Sequence, residues 1–173
     1  MAHVPALTKQ LHALLSAQRV ASLGTISDDG AAAVSMVPYA VEPRLGRFVI
    51  HVSGLASHTR NLRERPRVSL MVMRSEVAGQ PVHDLPRVTF EGLAGLLKPG
   101  SEPWQECRAA YLARFPEAGP MTELGDFRFV AIEMTRARQV AGFGAARTLT
   151  GDELALALAH SRQSQTVQSP MPK

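Results

Sequence analysis

Short runs of alternating apolar residues, separated by turn signals, constrain the fold of this chain more than any other feature. Residues 19–26 and 31–41 have a β-like pattern, and Ser27-Asp28-Asp29-Gly30 between them is a strong turn signal. Further β-like runs cover residues 47–52, 68–73, 87–97, 127–134 and, more briefly, 138–143. Six or seven strands joined mostly by hairpins predict a mainly β fold, an antiparallel barrel with short helices at its rim.

Helical patterns interrupt the strands at a few places. The spacing of Leu7, Leu11, Leu14 and Leu15 predicts an amphipathic helix that ends near Gln18. A short helix is predicted after the third strand, stopped by Pro66, and a third one begins at Ser101. A weaker helix is predicted over residues 154–160, followed by a polar tail whose composition is typical of disorder.

Bulk composition is that of one ordinary globular domain. The chain has 173 residues, of which 45% are apolar and 20% charged. No apolar run approaches the ~20 residues that cross a bilayer, no charged leader precedes an apolar segment, and the single Cys107 has no intramolecular disulfide partner. We therefore expect a cytoplasmic protein that does not span a membrane. Cys107 lies on the apolar side of its helix and is expected to be a buried, inert thiol.

The basic character of the chain does not indicate nucleic-acid binding. The formal charge is +4 and the isoelectric point about 9.8, but the arginines are spread along the chain without a dense basic run or interleaved aromatic residues. We therefore expect no nucleic-acid partner. A modest positive charge suits an anionic small ligand equally well.

The segment from Ser53 to Leu62 carries the strongest functional signal. It places hydroxyl groups and the imidazole of His58 where a helix is predicted to start after a strand. With Ser57 as the N-cap, free backbone N–H groups and the helix dipole there would favour a bound anion. A phosphate-bearing cofactor is the first candidate, and a capped helix start with an exposed imidazole is the alternative on the residues alone.

Four sequence runs place these features in a known family. They are Val34-Ser35-Met36-Val37-Pro38, the run from His51 to Leu62, Gly125-Asp126-Phe127-Arg128-Phe129 and Val140-Ala141-Gly142-Phe143-Gly144. Together with the strand order they resemble the FMN-binding split-barrel family of pyridoxamine 5′-phosphate oxidase, and in particular its haem-utilisation branch of the HugZ/HutZ type. The resemblance extends over roughly residues 7–148.

The resemblance implies a homodimer of six-stranded split barrels, with one FMN in each of two clefts between the subunits. It implies an FMN-binding domain over residues 1–148, with the weak helix and tail over residues 149–173. Two sets of residues are implied to bind the cofactor. The flavin ring would lie along the strand that carries Ser35, Met36 and Val37, and the phosphate would be held by Ser53, Ser57, His58, Thr59 and Asn61.

The main functional expectation is an FMN-dependent oxidoreductase acting on a small substrate in the dimer cleft, with the chemistry supplied by the flavin. His58-Thr59 stands where the oxidase has Arg-Lys, which argues against vitamin B6 oxidation. The first alternative is a haem-binding or haem-degrading protein, in which His160 is the candidate iron ligand. The second alternative is a flavin-binding module without turnover. We find no residues that predict another metal site or a catalytic side chain.

Overall fold

Six antiparallel strands close a barrel, which confirms the predicted architecture. The computed structural model describes residues 3–159. The strands are β1 (Val20–Ile26), β2 (Ala32–Glu42), β3 (Arg47–Ser53), β4 (Arg67–Met73), β5 (Arg87–Leu96), β6 (Phe127–Gly142) and β7 (Ala145–Thr150). Their order is β3-β2-β1-β4-β5-β6-β7, and pairing of β3 with β6 closes the barrel and leaves β7 as an extra strand on β6.

The helices cover the barrel from outside and at its ends. They are α1 (His3–Ala17), α2 (Ser57–Glu64), α3 (Glu102–Arg114) and α4 (Gly151–Ala159), with two short 3₁₀ segments at Pro116–Ala118 and Pro120–Glu123. α4 packs Leu154, Ala157 and Leu158 into the main core. None of the helices within residues 3–159 is long and apolar enough to cross a bilayer. The predicted tail and His160 lie outside the described residues.

β6 departs from the sequence prediction. It is one strand of 16 residues, so the two separate strands predicted at 127–134 and 138–143 are wrong, and β7 was not predicted at all. The first half of β6 pairs with β3 and its second half pairs with β7, while β5 follows it along nearly the whole length. β6 continues as one strand because it pairs with different strands along its length. A local sequence pattern does not reveal these partners.

A bulge at Thr135 in β6, opposite the step from Glu91 to Gly92 in β5, lets the β5–β6 pair bend. The register shifts between Glu91 and Gly92, and a Cβ added to Gly92 would lie 2.5 Å from the carbonyl oxygen of Glu133. A side chain therefore does not fit where the two backbones approach each other. A Cβ added to Gly95, three residues later in the same strand, would lie 3.9 Å from the carbonyl oxygen of Ala131, which is an ordinary contact distance.

Two apolar clusters stabilise the fold. The larger one fills the barrel, with Phe48, Leu70, Phe90 and Ile132 all at 0% exposure. The second lies between α3 and the outer face of β2, β3 and β6 and consists of Ala40, Val49, Cys107, Tyr111, Phe115, Ala118, Phe129 and Ala131. Cys107 is fully buried, and this burial raises the pKa of its thiol to about 11, so the expected buried thiol is confirmed.

Part of the sheet has an outer face that lies open to solvent. Met36 is in register with Ser22 of β1, which is in register with Met71 of β4. We call this surface the open sheet face; it comprises Ser22, Gly24, Val34, Met36, Ser69 and Met71. Val34 is 74% exposed and Met36 is 66% exposed, so large apolar side chains stand in solvent there.

The close approach at Gly92 can be tested by substitution. We expect Gly92→Ala to lower the free energy of unfolding by about 1–3 kcal/mol, because the new methyl group must displace the β6 backbone. Denaturant unfolding monitored by circular dichroism measures this change. Gly95→Ala is the matched control and should be neutral or slightly stabilising, since its space is open. Equal stability of the two variants would contradict the bulge argument.

Candidate functional site

The turn between β3 and α2 is fixed by hydrogen bonds to the end of β3. The Thr59 hydroxyl donates to the Ser53 carbonyl oxygen at 2.6 Å, and the Ala56 N–H donates to the same oxygen at 3.2 Å. The N-cap of α2 is Ala56, so the prediction that Ser57 caps the helix is wrong. Ser57 is the first helical residue and is exposed, because the backbone bond at Ala56 already completes the turn.

A second turn, at Asp126, is clamped onto this segment. The Gly54 N–H donates to the Asp126 carbonyl oxygen at 2.6 Å, and the Ser53 hydroxyl donates to the Asp126 carboxylate at 3.2 Å. A Cβ at Gly54 would lie 2.9 Å from that carbonyl oxygen, so the close approach requires glycine. The turns before α2 and before β6 are therefore joined by two hydrogen bonds. Asp126 lies in one of the family-like sequence runs, but sequence reasoning did not identify it as a site residue.

His58 joins α2 to β2. Its Nδ1 lies 3.2 Å from the Ser35 hydroxyl oxygen, while its Nε2 is buried and has no hydrogen-bond partner among the described residues. Burial lowers the pKa of His58, so the imidazole is neutral at physiological pH. The structure thus brings Ser35 and His58 into contact and leaves the second ring nitrogen of His58 without a partner among the described residues.

Asn61 lies beneath the helix, where it faces the barrel. It is 2% exposed, and its side-chain amide donates to the Thr25 hydroxyl at 3.1 Å. Its Oδ1 atom is buried and unpaired within residues 3–159. Asn61 therefore anchors α2 to β1, and Thr25 is a partner that the sequence did not indicate.

The three predicted strand residues face different surroundings. Met36 stands on the open sheet face, whereas Val37 is 3% exposed and belongs to the barrel core. Ser35 is half-buried beside His58. Strand alternation separates Val37 from its neighbours, so its side chain does not reach the surface that Met36 forms.

His51 lies two residues before Ser53 in an aromatic cluster. Its ring centroid is 4.4 Å from that of Phe129, 5.0 Å from that of Phe127 and 5.8 Å from that of Tyr111. The residue is 8% exposed, its Nδ1 has no partner in the described part of the chain, and burial lowers its pKa to about 4. This packing makes His51 a structural residue. Its stack on Phe127 supports the turn that carries Asp126.

The side chains and backbone groups at this end of the barrel are suited mainly to binding a ligand. Neutral His58, the hydroxyl of Ser57 and the first N–H groups of α2 are donors, with the open sheet face nearby on β2. Within the described residues, no cluster of three or more His, Cys, Asp or Glu side chains is arranged to hold a metal ion. The arrangement suits a ligand with both apolar and anionic parts.

Comparison with known proteins identifies the family. The family model described as pyridoxamine 5′-phosphate oxidase matches residues 7–141. The chain belongs to this family. Among curated proteins, it is 31% identical to haem oxygenase HutZ of Vibrio cholerae over 138 residues, which are 79% of this chain and 77% of HutZ. These matches support the predicted HutZ-type branch of the family.

Two further relatives have the same ligand in their names. The chloroplastic haem oxygenase HOZ of Arabidopsis thaliana is 30% identical over 83% of this chain, which spans 43% of HOZ. A haem-binding protein from Mycobacterium smegmatis has a structure that superposes with a TM-score of 0.76 at 27% identity, covering 87% of this chain and 60% of that one. A crystal structure of Vibrio cholerae HutZ, described as a haem storage protein, superposes with a TM-score of 0.67 at 25% identity, covering 73% of this chain and 88% of that one.

These relatives correct the main functional expectation. The prediction of an FMN-dependent oxidoreductase is wrong, because the similar proteins are haem oxygenases and haem-binding proteins. They favour the haem alternative instead, and FMN binding is not confirmed. Some of these relatives are enzymes.

The burial of His51 predicts a specific pH dependence of stability. The ordinary pKa of histidine is 6.5 and that of folded His51 is about 4, so the unfolded chain takes up this proton first as the pH falls. His51 should therefore cost stability progressively between pH 6.5 and pH 4, on the order of 3 kcal/mol in total. We expect His51→Phe to flatten this decline, measured by denaturant unfolding at several pH values.

Replacement of the exposed His83 by Gln is the control and should leave the pH profile unchanged. If the free energy of unfolding changes with pH in the same way for His51→Phe and the wild type between pH 6.5 and pH 4, the buried ring does not carry this cost.

Proposed function

We propose that this protein binds haem and takes part in haem breakdown. The observation that carries the proposal is the 31% identity to haem oxygenase HutZ, which extends over most of both chains. Haem is the substrate in this proposal, and its porphyrin ring would be opened by dioxygen with electrons from an external reductant. The description of HutZ as a haem storage protein supports a second candidate, binding without turnover.

The surface chemistry supports haem as the ligand. Haem has a flat apolar macrocycle and two carboxylates, so a matching site needs apolar contact beside hydrogen-bond donors. Met36 is an exposed apolar side chain on β2, and Ser35 connects that strand to the start of α2 through His58. We propose that the residues predicted for the cofactor form this site, namely Ser35, Met36, Val37, Ser53, Ser57, His58, Thr59 and Asn61.

Their roles in the proposed site would differ. The Ser57 hydroxyl and the first backbone N–H groups of α2, at Ser57 and His58, would donate to a carboxylate, and the helix dipole favours an anion at the same place. Thr59 and Asn61 would act indirectly, because their side chains hold α2 to the end of β3 and to β1. Val37 would contribute through the β2 backbone, since its side chain belongs to the core.

We propose His160 as the ligand of the haem iron. Among the other histidines, His12 is hydrogen-bonded to the carbonyl oxygen of Ala157 and His51 is enclosed by aromatic rings. Both are therefore committed to packing within the fold. His160 follows directly after Ala159, the last described residue of α4, and Leu158 lies close to Gly46, so the segment of α4 that precedes His160 is anchored.

A haem titration tests the proposal. We expect the purified protein to bind haem with a Soret band near ~400 nm, and His160→Ala to shift this band or weaken binding because the iron loses its ligand. His83→Ala is the matched control and should leave the spectrum unchanged. Adding ascorbate and oxygen should then bleach the band with release of iron if the protein degrades haem. Stable bound haem would favour storage, and the absence of binding at micromolar haem would overturn the proposal.

We also propose that the open sheet face joins two copies of the chain in a homodimer. A self-complementary contact requires only that the same apolar surface occurs on both copies. Val34 and Met36 are the large exposed side chains of this face, and Ser22, Gly24 and Ser69 are small enough for two sheets to approach closely.

Charge substitution tests the dimer. We expect Met36→Lys to convert the protein to a monomer at micromolar concentration, because a lysine buried in an apolar contact lacks a partner. Light scattering after size-exclusion chromatography measures the mass. Leu45→Lys, at a leucine that is 53% exposed in the β2–β3 turn, is the control and should remain dimeric. A monomeric wild-type protein would contradict the proposal.

A further inference from the structure

Two exposed leucines flank the hydrogen bond that clamps the site. Leu55 follows Gly54 and is 89% exposed, and Leu124 lies two residues before Asp126 and is 51% exposed. The bond between the Gly54 N–H and the Asp126 carbonyl oxygen, at 2.6 Å, brings the two turns together. Each leucine lies within two residues of this bond, so both exposed side chains belong to the joined turns at the end of β3; we call the two leucines the apolar rim.

The backbone holds both leucines in place. The Leu55 N–H donates to the Ser53 hydroxyl at 3.2 Å, while the Leu124 N–H donates to the Met121 carbonyl oxygen at 3.2 Å. The Leu124 carbonyl oxygen in turn accepts from the Phe127 N–H at 3.2 Å, and Phe127 stacks on His51. Both leucines therefore lie on turns whose backbone is held by hydrogen bonds. Apolar side chains beside a few polar groups are the lining that a ligand with apolar and anionic parts requires.

Polar groups adjoin this rim on one side. Ser57 is exposed and lies two residues after Leu55, and two residues span at most about 7 Å. An amphipathic ligand could therefore contact Leu55 with its apolar part and the Ser57 hydroxyl with its carboxylate. A second copy of the chain is a less suitable occupant, because the open sheet face lies on β1, β2 and β4, whereas Leu55 and Leu124 lie beyond the ends of β3 and β6.

We propose that Leu55 and Leu124 form the apolar wall against which the porphyrin of haem packs. This inference rests on the proposed haem binding and adds two residues that neither the sequence motif nor the comparisons assign to the ligand. The wall acts through apolar contact and not through the iron. It therefore contributes equally to binding of a porphyrin that carries another metal.

Serine substitution with two porphyrins tests the wall. We expect Leu55→Ser and Leu124→Ser each to raise the dissociation constant for haem and for zinc protoporphyrin by about tenfold, since each removes apolar contact area. Absorbance and fluorescence titrations measure the two constants. Leu55→Met should retain wild-type affinity because it preserves the apolar surface. Leu45→Ser, an exposed leucine at the opposite end of β3, is the control and should bind normally.

The outcomes separate this inference from the proposed function. If wild-type protein binds neither porphyrin, the proposed haem binding fails. If wild-type protein binds haem and the two serine variants bind it equally well, only the apolar wall is overturned. Light scattering on the same samples is also decisive, since loss of affinity together with loss of the dimer would assign the leucines to the subunit contact and overturn the wall. Circular dichroism and thermal unfolding verify that each exposed substitution leaves the fold intact.

Discussion

Pairing of β3 with β6 is the interaction on which the rest of the structure depends. It closes the barrel, and it places Ser53 at the end of β3 opposite Phe127 at the start of β6. The residues next to this pair, Gly54 and Asp126, then form the short hydrogen bond that joins the two turns. The candidate site is therefore built on the closing contact of the barrel and shares its rigidity. The two strands are far apart in sequence, so the site forms only when the barrel is complete.

The polar residues of the site serve the fold as well as the ligand. Thr59 bonds the end of β3, Asn61 bonds Thr25 beneath the helix, and His58 lies against Ser35. Buried polar groups need such partners, because leaving them unpaired costs free energy. The motif that resembles a phosphate-binding segment is thus also the anchor of α2. Ser57 and Leu55 are exposed, and a hydroxyl beside an apolar side chain suits an amphipathic ligand.

The correction from flavin to haem follows from how folds relate to ligands. The family supplies the barrel and the turn before α2, but the same scaffold accepts different ligands when surface side chains change. The pair His58-Thr59 in place of Arg-Lys was a sequence signal that the oxidase chemistry does not apply. It was not sufficient to exclude a flavin, since a neutral imidazole and a hydroxyl still donate hydrogen bonds. Similarity to haem oxygenases over most of the chain favours the haem alternative.

The sequence alone determined the mainly β fold, most strand and helix positions, the family and the segment proposed as the candidate site. It did so because side-chain periodicity, turn residues and short motifs are local properties. Only the tertiary structure decided that β6 is a single strand with three partners, that Ala56 and not Ser57 caps α2, and that Asp126 and Thr25 complete the site. These features depend on contacts between residues distant in the chain. No local pattern contains that information, because such contacts are selected by the packing of the whole barrel.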